Sequence, residues 1–330
     1  MTRSSTFRLV PTLSGVRHLL AVLLLTAGAQ AAAAEKLSLQ ATSAMTEWTF
    51  SYKGQPLMVY SFEPGRYKPY VKELHTLGGL NVLRDSPSDH LHHHALMYGI
   101  RVNGANFWEE RAGAGVQRVV RSVKPELSSD PAGRPQARFS QTIHWVIPDD
   151  AFLPAANSTP LLIEQRTLTL VVDEAGQEVA LHWKSQFEVG NKTNTVELAG
   201  ANYHGLGMRF MEELDPLAAH LNSGGAPDLA AGKQNVSRHA WGSVSFQGPG
   251  KSAHLVLAGH PSNAGGEAAF FTMRTPFAYL SATQELDRTP LVYHAGDKFE
   301  LNYLVTLYPA PKTAASIDER IRRWTSAKPE

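Results

Sequence analysis

Four histidines within five residues are the part of this sequence with the clearest capacity for chemistry. The segment 85–94 reads Asp-Ser-Pro-Ser-Asp-His-Leu-His-His-His and holds four of the 14 histidines of the chain. Neutral imidazoles held this close together either bind a metal ion or form an array that moves protons. Asp89 is placed to orient one of these rings.

The same run also has simpler interpretations. It is consistent with a solvent-exposed loop without a role, with an adventitious metal-binding tract, or with core histidines satisfied by the backbone. Leu91 and the apolar residues 95–98 favour a buried segment. If the segment is extended, His90, His92 and His94 share one face.

Several other kinds of site are excluded by the sequence. The chain contains no cysteine, which removes thiolate metal sites, cysteine nucleophiles, iron–sulfur clusters and disulfides. It carries no HExxH helix, no Walker loop, no GxGxxG-led dinucleotide unit and no GxSxG elbow. The next carboxylates after the histidines are Glu109 and Glu110, so a site of two histidines and one carboxylate needs ligands distant in sequence.

Polar residues after apolar stretches supply further candidates. Residues 202–209 join His204 and Arg209 to small residues, residues 258–263 form a polar turn, and Glu285 follows Ser-Ala-Thr-Gln. Each position alone favours a structural role, but β scaffolds assemble sites from several strand ends in this way. Aromatic residues suited to stacking on a sugar ring, or equally to core packing, are Trp108, Tyr203, Trp241 and Tyr279.

The elements that must position these groups are predicted to be β-strands. Strict alternation of apolar and polar residues, or a β-branched apolar run, marks residues 137–147, 161–172, 178–189 and 298–308. The best helix signal is C-terminal, with Ser316 as candidate N-cap and Ile317, Ile321 and Trp324 on one face. We predict one all-β domain over residues 35–330, a large two-sheet antiparallel super-sandwich with a short C-terminal helix.

The first 34 residues match a secretory signal peptide. Arg3, Arg8 and Arg17 lie before or at the start of an apolar run, and an Ala-x-Ala cleavage zone ends at Ala34. A membrane anchor is the alternative, but the run is shorter than the ~20 residues that a span needs. Since the chain lacks a lipobox cysteine, we expect a periplasmic or secreted protein with no membrane span after the signal peptide.

Charge argues against nucleic acid as a partner. The chain has 31 Lys and Arg against 30 Asp and Glu, a formal net charge of +1. Three of the arginines belong to the signal peptide, so the mature chain is mildly acidic. Such a chain lacks the basic surface that nucleic-acid binding needs.

Several motifs resemble a bacterial family labelled "methane oxygenase PmoA". Those motifs are Lys68-Pro69-Tyr70, residues 78–84 ending in Arg84, the run from Asp89 to His94, residues 102–108 ending in Trp108, residues 204–209, Ala240-Trp241, residues 260–263 and residues 291–303. Leu91 stands where the family usually has Pro, and His94 where it often has Arg. The resemblance therefore carries over most directly to His90, His92 and His93. These are also the candidate ligands of a divalent metal ion, the cofactor that clustered imidazoles allow.

A more remote resemblance concerns the fold. Residues 283–285, a polar turn, residues 295–297 and the alternating run to Tyr308 are similar to the end of galactose-mutarotase-type super-sandwiches. That resemblance implies Glu285 as a catalytic base and His204 or His93 as an acid.

These observations lead to one main hypothesis and two alternatives. We expect an exported carbohydrate-active enzyme, a lyase, epimerase or hydrolase, that performs acid/base chemistry on a sugar or keto-sugar. The candidate catalytic residues are His92, His93, His204, Arg209 and Glu285, and the candidate substrate-binding residues are Arg84, Trp108, Tyr203, His260 and Asn263. The alternatives are a carbohydrate-binding protein without catalysis and a copper or iron oxidoreductase whose metal is bound by histidine.

Overall fold

Antiparallel β-sheet makes up most of the fold, as the alternating sequence predicts. The computed structural model describes residues 1, 37–41, 46–147, 159–191 and 193–327. The predicted signal peptide, residues 1–34, lies outside these ranges apart from Met1. Over the described residues, no helix is both long enough and apolar enough to cross a membrane.

Two large sheets are formed by the described residues, each with nine strands. The first runs, in spatial order, β1 (Leu37–Ala41), β2 (Glu47–Tyr52), β3 (Gln55–Ser61), β4 (Tyr70–Leu74), β5 (Leu96–Gly99), β14 (Gly205–Arg209), β20 (Tyr279–Thr283), β19 (Ala269–Met273) and β16 (Asn235–Arg238). The second runs β15 (Ala218–Asn222), β17 (Gly242–Gly248), β18 (Lys251–Gly259), β22 (Lys298–Tyr308), β12 (Glu178–Val189), β11 (Leu162–Asp173), β10 (Pro135–Val146) and β8 (Val116–Ser122), with β9 (Glu126–Ser129) also on β10.

A small third sheet was not predicted. It joins β21 (Leu291–His294), β13 (Thr195–Ala199), β6 (Arg101–Val102) and β7 (Ala105–Asn106) in the described part of the chain. The predicted all-β architecture of antiparallel sheets with one C-terminal helix is otherwise confirmed.

The apolar faces of the two large sheets pack into one core. On β14, Leu206 and Met208 belong to this core together with Leu181 and Trp183 of β12. Side chains alternate along a strand. Residues 205, 207 and 209 therefore lie on the opposite face of the first sheet, which carries the candidate site.

A buried ion pair fixes the start of β4 against the second sheet. Arg166 of β11 donates to both oxygens of Glu164 at 2.7 and 3.0 Å. Glu164 also accepts from Trp145 Nε1 at 2.8 Å and from the Ser185 hydroxyl at 2.6 Å. Charges are tolerated inside a protein only when they are paired and hydrogen-bonded in this way. Arg166 Nη1 also donates to the carbonyl of Pro69 at 3.0 Å, next to the residues that support the site.

The C-terminal helix begins earlier than predicted. It is α1 (Ala314–Ser326), and its N-cap is Thr313, whose hydroxyl accepts from the backbone N–H of Ser316 at 3.2 Å. The prediction of Ser316 as N-cap is therefore wrong, because a hydroxyl three residues earlier already caps the first turn. Ile317 and Ile321 are buried against the second sheet, as their spacing predicts.

Protonation of His254 is expected to destabilise the fold between about pH 6.5 and 4. His254 is buried on β18, and its Nδ1 accepts a hydrogen bond from the backbone N–H of Lys312 at 2.9 Å. Burial lowers the pKa of His254 to about 4, whereas an unfolded histidine titrates near 6.5. The unfolded state therefore gains its proton first as the pH falls, and the free energy of unfolding decreases by up to about 3 kcal/mol. Chemical denaturation at several pH values measures this slope.

Two variants make that measurement specific to His254. His254→Asn keeps an acceptor near the position of Nδ1 but gains no proton, so its stability should depend less steeply on pH. His294→Asn replaces an exposed histidine and should leave the slope unchanged. Identical slopes in the wild type and His254→Asn would contradict the prediction.

Candidate functional site

A buried charge network lies at the base of the histidine segment. His94 lies between two carboxylates, with Nδ1 2.7 Å from Asp85 Oδ1 and Nε2 2.8 Å from Glu110 Oε1. The ammonium of Lys68 is 2.8 Å from the same Glu110 oxygen. The second oxygen of Asp85 accepts from the Tyr70 hydroxyl at 2.9 Å. Lys68, Glu110, His94 and Asp85 are called the buried charge network below.

His94 carries a positive charge in this network. A neutral imidazole donates through only one nitrogen, and both nitrogens of His94 face carboxylates. Burial opposes the charge, but the hydrogen bonds to Asp85 and Glu110 raise the pKa of His94 above its ordinary value. Burial also opposes ionisation of the two carboxylates, yet their bonds to His94 lower the pKa of both. Two cations and two anions therefore balance, which limits the cost of burying them.

The network closes the histidine segment into a turn. Asp85 and His94 form an antiparallel bridge, and turns and bends occupy the residues between them. The extended geometry considered from the sequence does not occur, because the chain turns between Asp85 and His94. His93 and His94 are both buried, whereas His90 and His92 are partly exposed. Leu91 was expected to be buried but is 68% exposed, since it lies in the loop of this turn.

The other three imidazoles form a compact group. The rings of His90 and His93 stack with centroids 4.5 Å apart and planes 18° apart. His92 meets His93 edge-on at 4.7 Å. The ring of His93 also lies 5.7 Å from that of Tyr279 on β20. The structure therefore brings together His90, His92 and His93, the three candidate metal ligands, of which His92 and His93 are also candidate catalytic residues.

Two glycines on the outer face of the first sheet leave room for aromatic rings. A Cβ added at Gly99 would lie 3.2 Å from Trp108 Cε3. One added at Gly207 would lie 2.0 Å from the Tyr279 hydroxyl oxygen and 2.8 Å from Trp108 Cη2. The ring of His204 stacks on Trp108 at 5.0 Å and 17°. The glycines thus allow Trp108 to lie against the main chain and stack on His204, and they leave room for the Tyr279 hydroxyl over Gly207.

Polar atoms without a protein partner converge beside these rings. Within the described residues, buried atoms with no hydrogen-bond partner include His93 Nδ1, Trp108 Nε1, His204 Nδ1, Arg209 Nε and Nη1, and the Tyr279 hydroxyl. Leaving such a group unsatisfied costs about 1–3 kcal/mol, so native proteins seldom gather several of them. We call these five residues the unpaired polar cluster. Their concentration indicates a site for a ligand with many hydrogen-bonding groups.

The two buried imidazoles of this cluster are neutral. Burial, followed by the charges of His92 and His90, lowers the pKa of His93 to about 2. Burial, followed by the charge of Arg101, lowers the pKa of His204 to about 3. Each ring therefore offers one donor and one acceptor nitrogen at neutral pH.

Arg209 brings positive charge to the cluster. Its guanidinium carbon lies 3.3 Å from the centre of the Phe277 ring, and its Nη2 is 3.2 Å from Asp89 Oδ2. The same Asp89 oxygen is 3.0 Å from Nδ1 of His90. Asp89 thus connects the arginine with a half-buried imidazole and orients that ring, as was expected for it from the sequence.

Two further predicted residues adjoin this group. The backbone N–H of Arg84 donates to the carbonyl of Arg209 at 3.0 Å, while its guanidinium pairs with Glu212 at 2.8 Å. The ring of Tyr203 meets Trp108 edge-on at 5.6 Å. Tyr203 therefore adjoins Trp108 of the cluster, whereas the Arg84 side chain is paired with Glu212, and substrate binding by these residues stays a prediction.

Glu285 has different partners. One carboxylate oxygen accepts from Arg238 at 2.6 Å and the other from Arg288 at 3.0 Å. These contacts hold it just beyond the end of β20 rather than against the histidines. Its role as the base stays a prediction.

His260 and Asn263 lie at the second sheet instead of the cluster. The ring of His260 meets Trp324 of α1 edge-on at 5.4 Å. The Asn263 side chain exchanges hydrogen bonds with the backbone of Asn302 on β22, at 2.7 and 3.0 Å. Asn263 is thus part of a turn anchored to that sheet. The sequence placed both residues in one site with His204 because it did not show which sheet each strand joins.

Metal binding by His90, His92 and His93 is not supported by a preformed ligand set. In the described ranges, no group of three or more histidine, aspartate or glutamate side chains is arranged to hold one ion. The stacked rings of His90 and His93 present faces to each other rather than nitrogens to a shared centre. The metal site stays a prediction.

Sequence reasoning missed most of the buried charge network. Asp85 and the carboxylate of Glu110 were noted, but nothing in their spacing indicated that both bind His94. Lys68 and Tyr70 belong to one of the resemblance motifs, and that was their only signal. A lysine and a tyrosine flanking a proline at the start of a strand do not reveal partners 42 and 15 residues away.

The family of the chain is shown by its sequence. A sequence model described as a family of unknown function, DUF6807, matches residues 47–322. The chain belongs to this family. The match includes the buried charge network and the unpaired polar cluster. Among curated proteins, none matches the sequence, and the likeness to the family labelled methane oxygenase PmoA stays a prediction.

Solved structures that align with this DUF6807 member have low sequence identity. The GH36 α-galactosidase AgaB from Geobacillus stearothermophilus aligns with a TM-score of 0.48 and 10% identity, over 83% of this chain and 41% of that one. A putative aldose 1-epimerase from Klebsiella pneumoniae gives 0.44 and 8%, over 84% and 83%. A galactose mutarotase related enzyme from Lactobacillus acidophilus gives 0.39 and 7%, over 78% and 97%. The chain spans about two fifths of the length of the α-galactosidase chains.

Glu110→Gln is expected to destabilise the protein by about 3–5 kcal/mol. The substitution leaves the charges of Lys68 and His94 without their shared carboxylate in the interior, which is the costly way to break a buried ion pair. Glu109→Gln is the matched control, because Glu109 is more exposed and reaches Arg111 only at 3.4 Å, so it should cost less than about 1 kcal/mol. Urea denaturation followed by circular dichroism measures both. Equal losses in the two variants would contradict the importance of the network.

Gly207→Ala is expected to destabilise the fold by about 1–3 kcal/mol, because its methyl group collides with the Tyr279 hydroxyl. Tyr279→Phe removes that oxygen, so the double variant should recover part of the loss. Gly65→Ala is the control, since a Cβ there meets nothing within 4 Å. Thermal denaturation of the wild type and the four variants measures this, and simple additivity of Gly207→Ala and Tyr279→Phe would contradict the proposed contact.

Proposed function

We propose that this protein is an enzyme that transfers protons on a sugar or keto-sugar bound at the unpaired polar cluster. The single observation that carries the proposal is the cluster itself, in which buried polar atoms of five side chains converge without protein partners. Ligand sites combine an aromatic wall with a few placed polar groups. Here Trp108, Tyr203 and Tyr279 form the wall, and a polyhydroxylated ligand supplies the missing partners.

Arg209, His93 and His204 are suited to polarising an oxygen of that ligand. Neutral imidazoles donate hydrogen bonds without adding charge, and the neighbouring guanidinium stabilises negative charge that develops on a carbonyl or carboxylate oxygen. Burial also lowers the pKa of Arg209, so the site favours an anionic partner for it. This arrangement supports enolisation or elimination next to a carbonyl, as in lyases and epimerases.

The proton itself is better carried by His90 or His92. Burial keeps the pKa of His93 and His204 near 2 and 3, so neither ring accepts a proton near neutral pH. Burial lowers the pKa of His92 as well, but the side chains of His90 and His92 are partly exposed and can exchange protons with solvent. Asp89 accepts from His90 Nδ1, which leaves Nε2 to exchange protons. Glu285 is the alternative base that the resemblance to galactose-mutarotase-type folds implies.

Carbohydrate binding without catalysis is the second candidate function, because the same cluster and aromatic wall would serve it. Calorimetry with intact sugars separates the two. Tight binding without any chemical change in the ligand would favour the binding protein. Stoichiometric copper or iron in protein purified without a histidine tag would favour the oxidoreductase instead.

Loss of His92 and His93, or of His204, is expected to abolish turnover while the fold is kept. A panel of sugars and keto-sugars incubated in D₂O reports proton transfer at carbon as deuterium incorporation, followed by NMR. His92→Ala combined with His93→Ala should reduce the rate at least about 100-fold, as should His204→Ala. These residues lie outside the buried charge network, so circular dichroism should be unchanged.

Leu91→Ala is the matched control for this experiment. It alters the same turn, but its side chain is exposed, so its rate should equal that of the wild type. Unchanged turnover of an identified substrate in the histidine variants would overturn the catalytic assignment.

A further inference from the structure

The unpaired polar cluster is closed in this structure. Its unpaired atoms are buried, and its five residues are at most 7% exposed. A ligand as large as a sugar therefore reaches these atoms only after a part of the protein has moved. The connection between β19 and β20 lies over Arg209 of the cluster. We call its residues 274–277 the Phe277 loop.

Phe277 is the residue of this loop that covers the cluster. Its ring lies on the guanidinium of Arg209, with 3.3 Å between the guanidinium carbon and the ring centre. It meets the rings of His90 and His93 edge-on, with centroids 5.3 and 6.0 Å away. The ring of Tyr279 is 6.4 Å away. One side chain thus adjoins three of the five residues of the cluster.

The Phe277 loop has few ties to the rest of the protein. Residues 274–276 are exposed. The side chains of residues 274–277 make no ion pair or hydrogen bond with other residues that the structure describes. Polar anchoring begins at Ala278, whose backbone N–H donates to Asp215 at 3.0 Å. The loop can therefore move while β19 and β20 stay paired.

The other walls of the cluster are fixed more firmly. The histidine turn is held by both carboxylates that bind His94. The backbone N–H of Trp108 donates to Asn106 at 2.8 Å, and its carbonyl accepts from Lys68 at 2.9 Å. Strand β20 lies between β14 and β19 within the first sheet. Segments with few contacts open at the lowest cost in free energy, so we expect opening at the Phe277 loop.

We propose that Phe277 controls the entry of ligands to the unpaired polar cluster, by moving away from Arg209 together with its loop. The proposal rests on ligand binding at the cluster, as proposed above, with or without catalysis. Opening exposes Nε and Nη1 of Arg209, which have no protein partner. Closure excludes water from the guanidinium, which strengthens its interaction with negative charge on a bound ligand.

Chemical modification of arginine tests the role of Phe277 without any ligand. Phenylglyoxal reacts with accessible guanidinium groups, and mass spectrometry of peptides measures the rate at Arg209. The exposed Arg111 is the internal reference. Phe277→Ala should increase the rate at Arg209 at least tenfold and leave the rate at Arg111 unchanged. Thr275→Ala, in the exposed part of the same loop, is the matched control and should change neither rate.

A disulfide that holds the loop tests whether its movement is needed. A Cβ built at Gly232 lies 3.4 Å from Thr275 Oγ1, which is close enough for two cysteines to be joined. Since the chain has no cysteine of its own, Gly232→Cys combined with Thr275→Cys allows one defined disulfide, and counting free thiols confirms it. Oxidation should slow the modification of Arg209 at least tenfold, and reduction should restore it.

The reduced double variant is the reference for the oxidised one. Gly232 has a φ of +77°, so a cysteine there is strained in both forms, and the strain does not affect their comparison. Adding Phe277→Ala to the oxidised double variant should restore rapid modification of Arg209, because the disulfide acts through the position of that ring.

Two results would overturn the proposal. They are equal rates at Arg209 in the wild type and Phe277→Ala, and equal rates in the oxidised and reduced double variant. Calorimetry with a panel of sugars separates this failure from failure of the proposed function. A sugar that binds the oxidised and reduced forms equally well would overturn control by Phe277 and leave the proposed function standing. The expected rates without binding of any sugar would support control by Phe277 and contradict the proposed function.

Discussion

The charged imidazole of His94, held between Asp85 and Glu110, is the constraint on which the arrangement of the site depends. It ties the histidine turn to the segment after β7 and, through Lys68, to the segment before β4. Lys68, Pro69 and Tyr70 then act in sequence. Lys68 pairs with Glu110, the carbonyl of Pro69 accepts a hydrogen bond from Arg166 in the core, and the hydroxyl of Tyr70 donates to Asp85. The site is thereby fixed to the interior of the sandwich, although it lies on the outer face of a sheet.

Adjacent histidines in this chain have opposite electrostatic roles. His94 is surrounded by carboxylates and is charged, while His93 is surrounded by aromatic rings and neighbouring imidazoles and is neutral. The two adjacent side chains have different surroundings because the chain turns between His93 and the bridge that His94 forms with Asp85. The positive charge of Arg209 and the neutral rings beside it can then act on one ligand, while the charge of His94 is used for structure.

The sequence predicted the parts of this molecule that depend on local patterns. Alternation identified the long strands β10, β11, β12 and β22, and the histidine run identified the turn that contributes three of the site's imidazoles. His204, Arg209 and Trp108 were also selected, although they are far apart in the chain. Alternation shows that a residue is buried but does not show its partner. Three features are therefore evident only from the structure. They are the pairing of Lys68 with Glu110, the positions of His204 and His260 on different sheets, and the capping of the helix by Thr313.

The absence of a side chain at Gly207 has a consequence for comparing relatives of this protein. The hydroxyl of Tyr279 occupies the space that any other residue would fill with its first carbon atom. Any residue larger than glycine at position 207 therefore requires the side chain of Tyr279, and with it the aromatic wall, to move. We expect homologous sequences with a larger residue at this position to place the tyrosine that corresponds to Tyr279 differently.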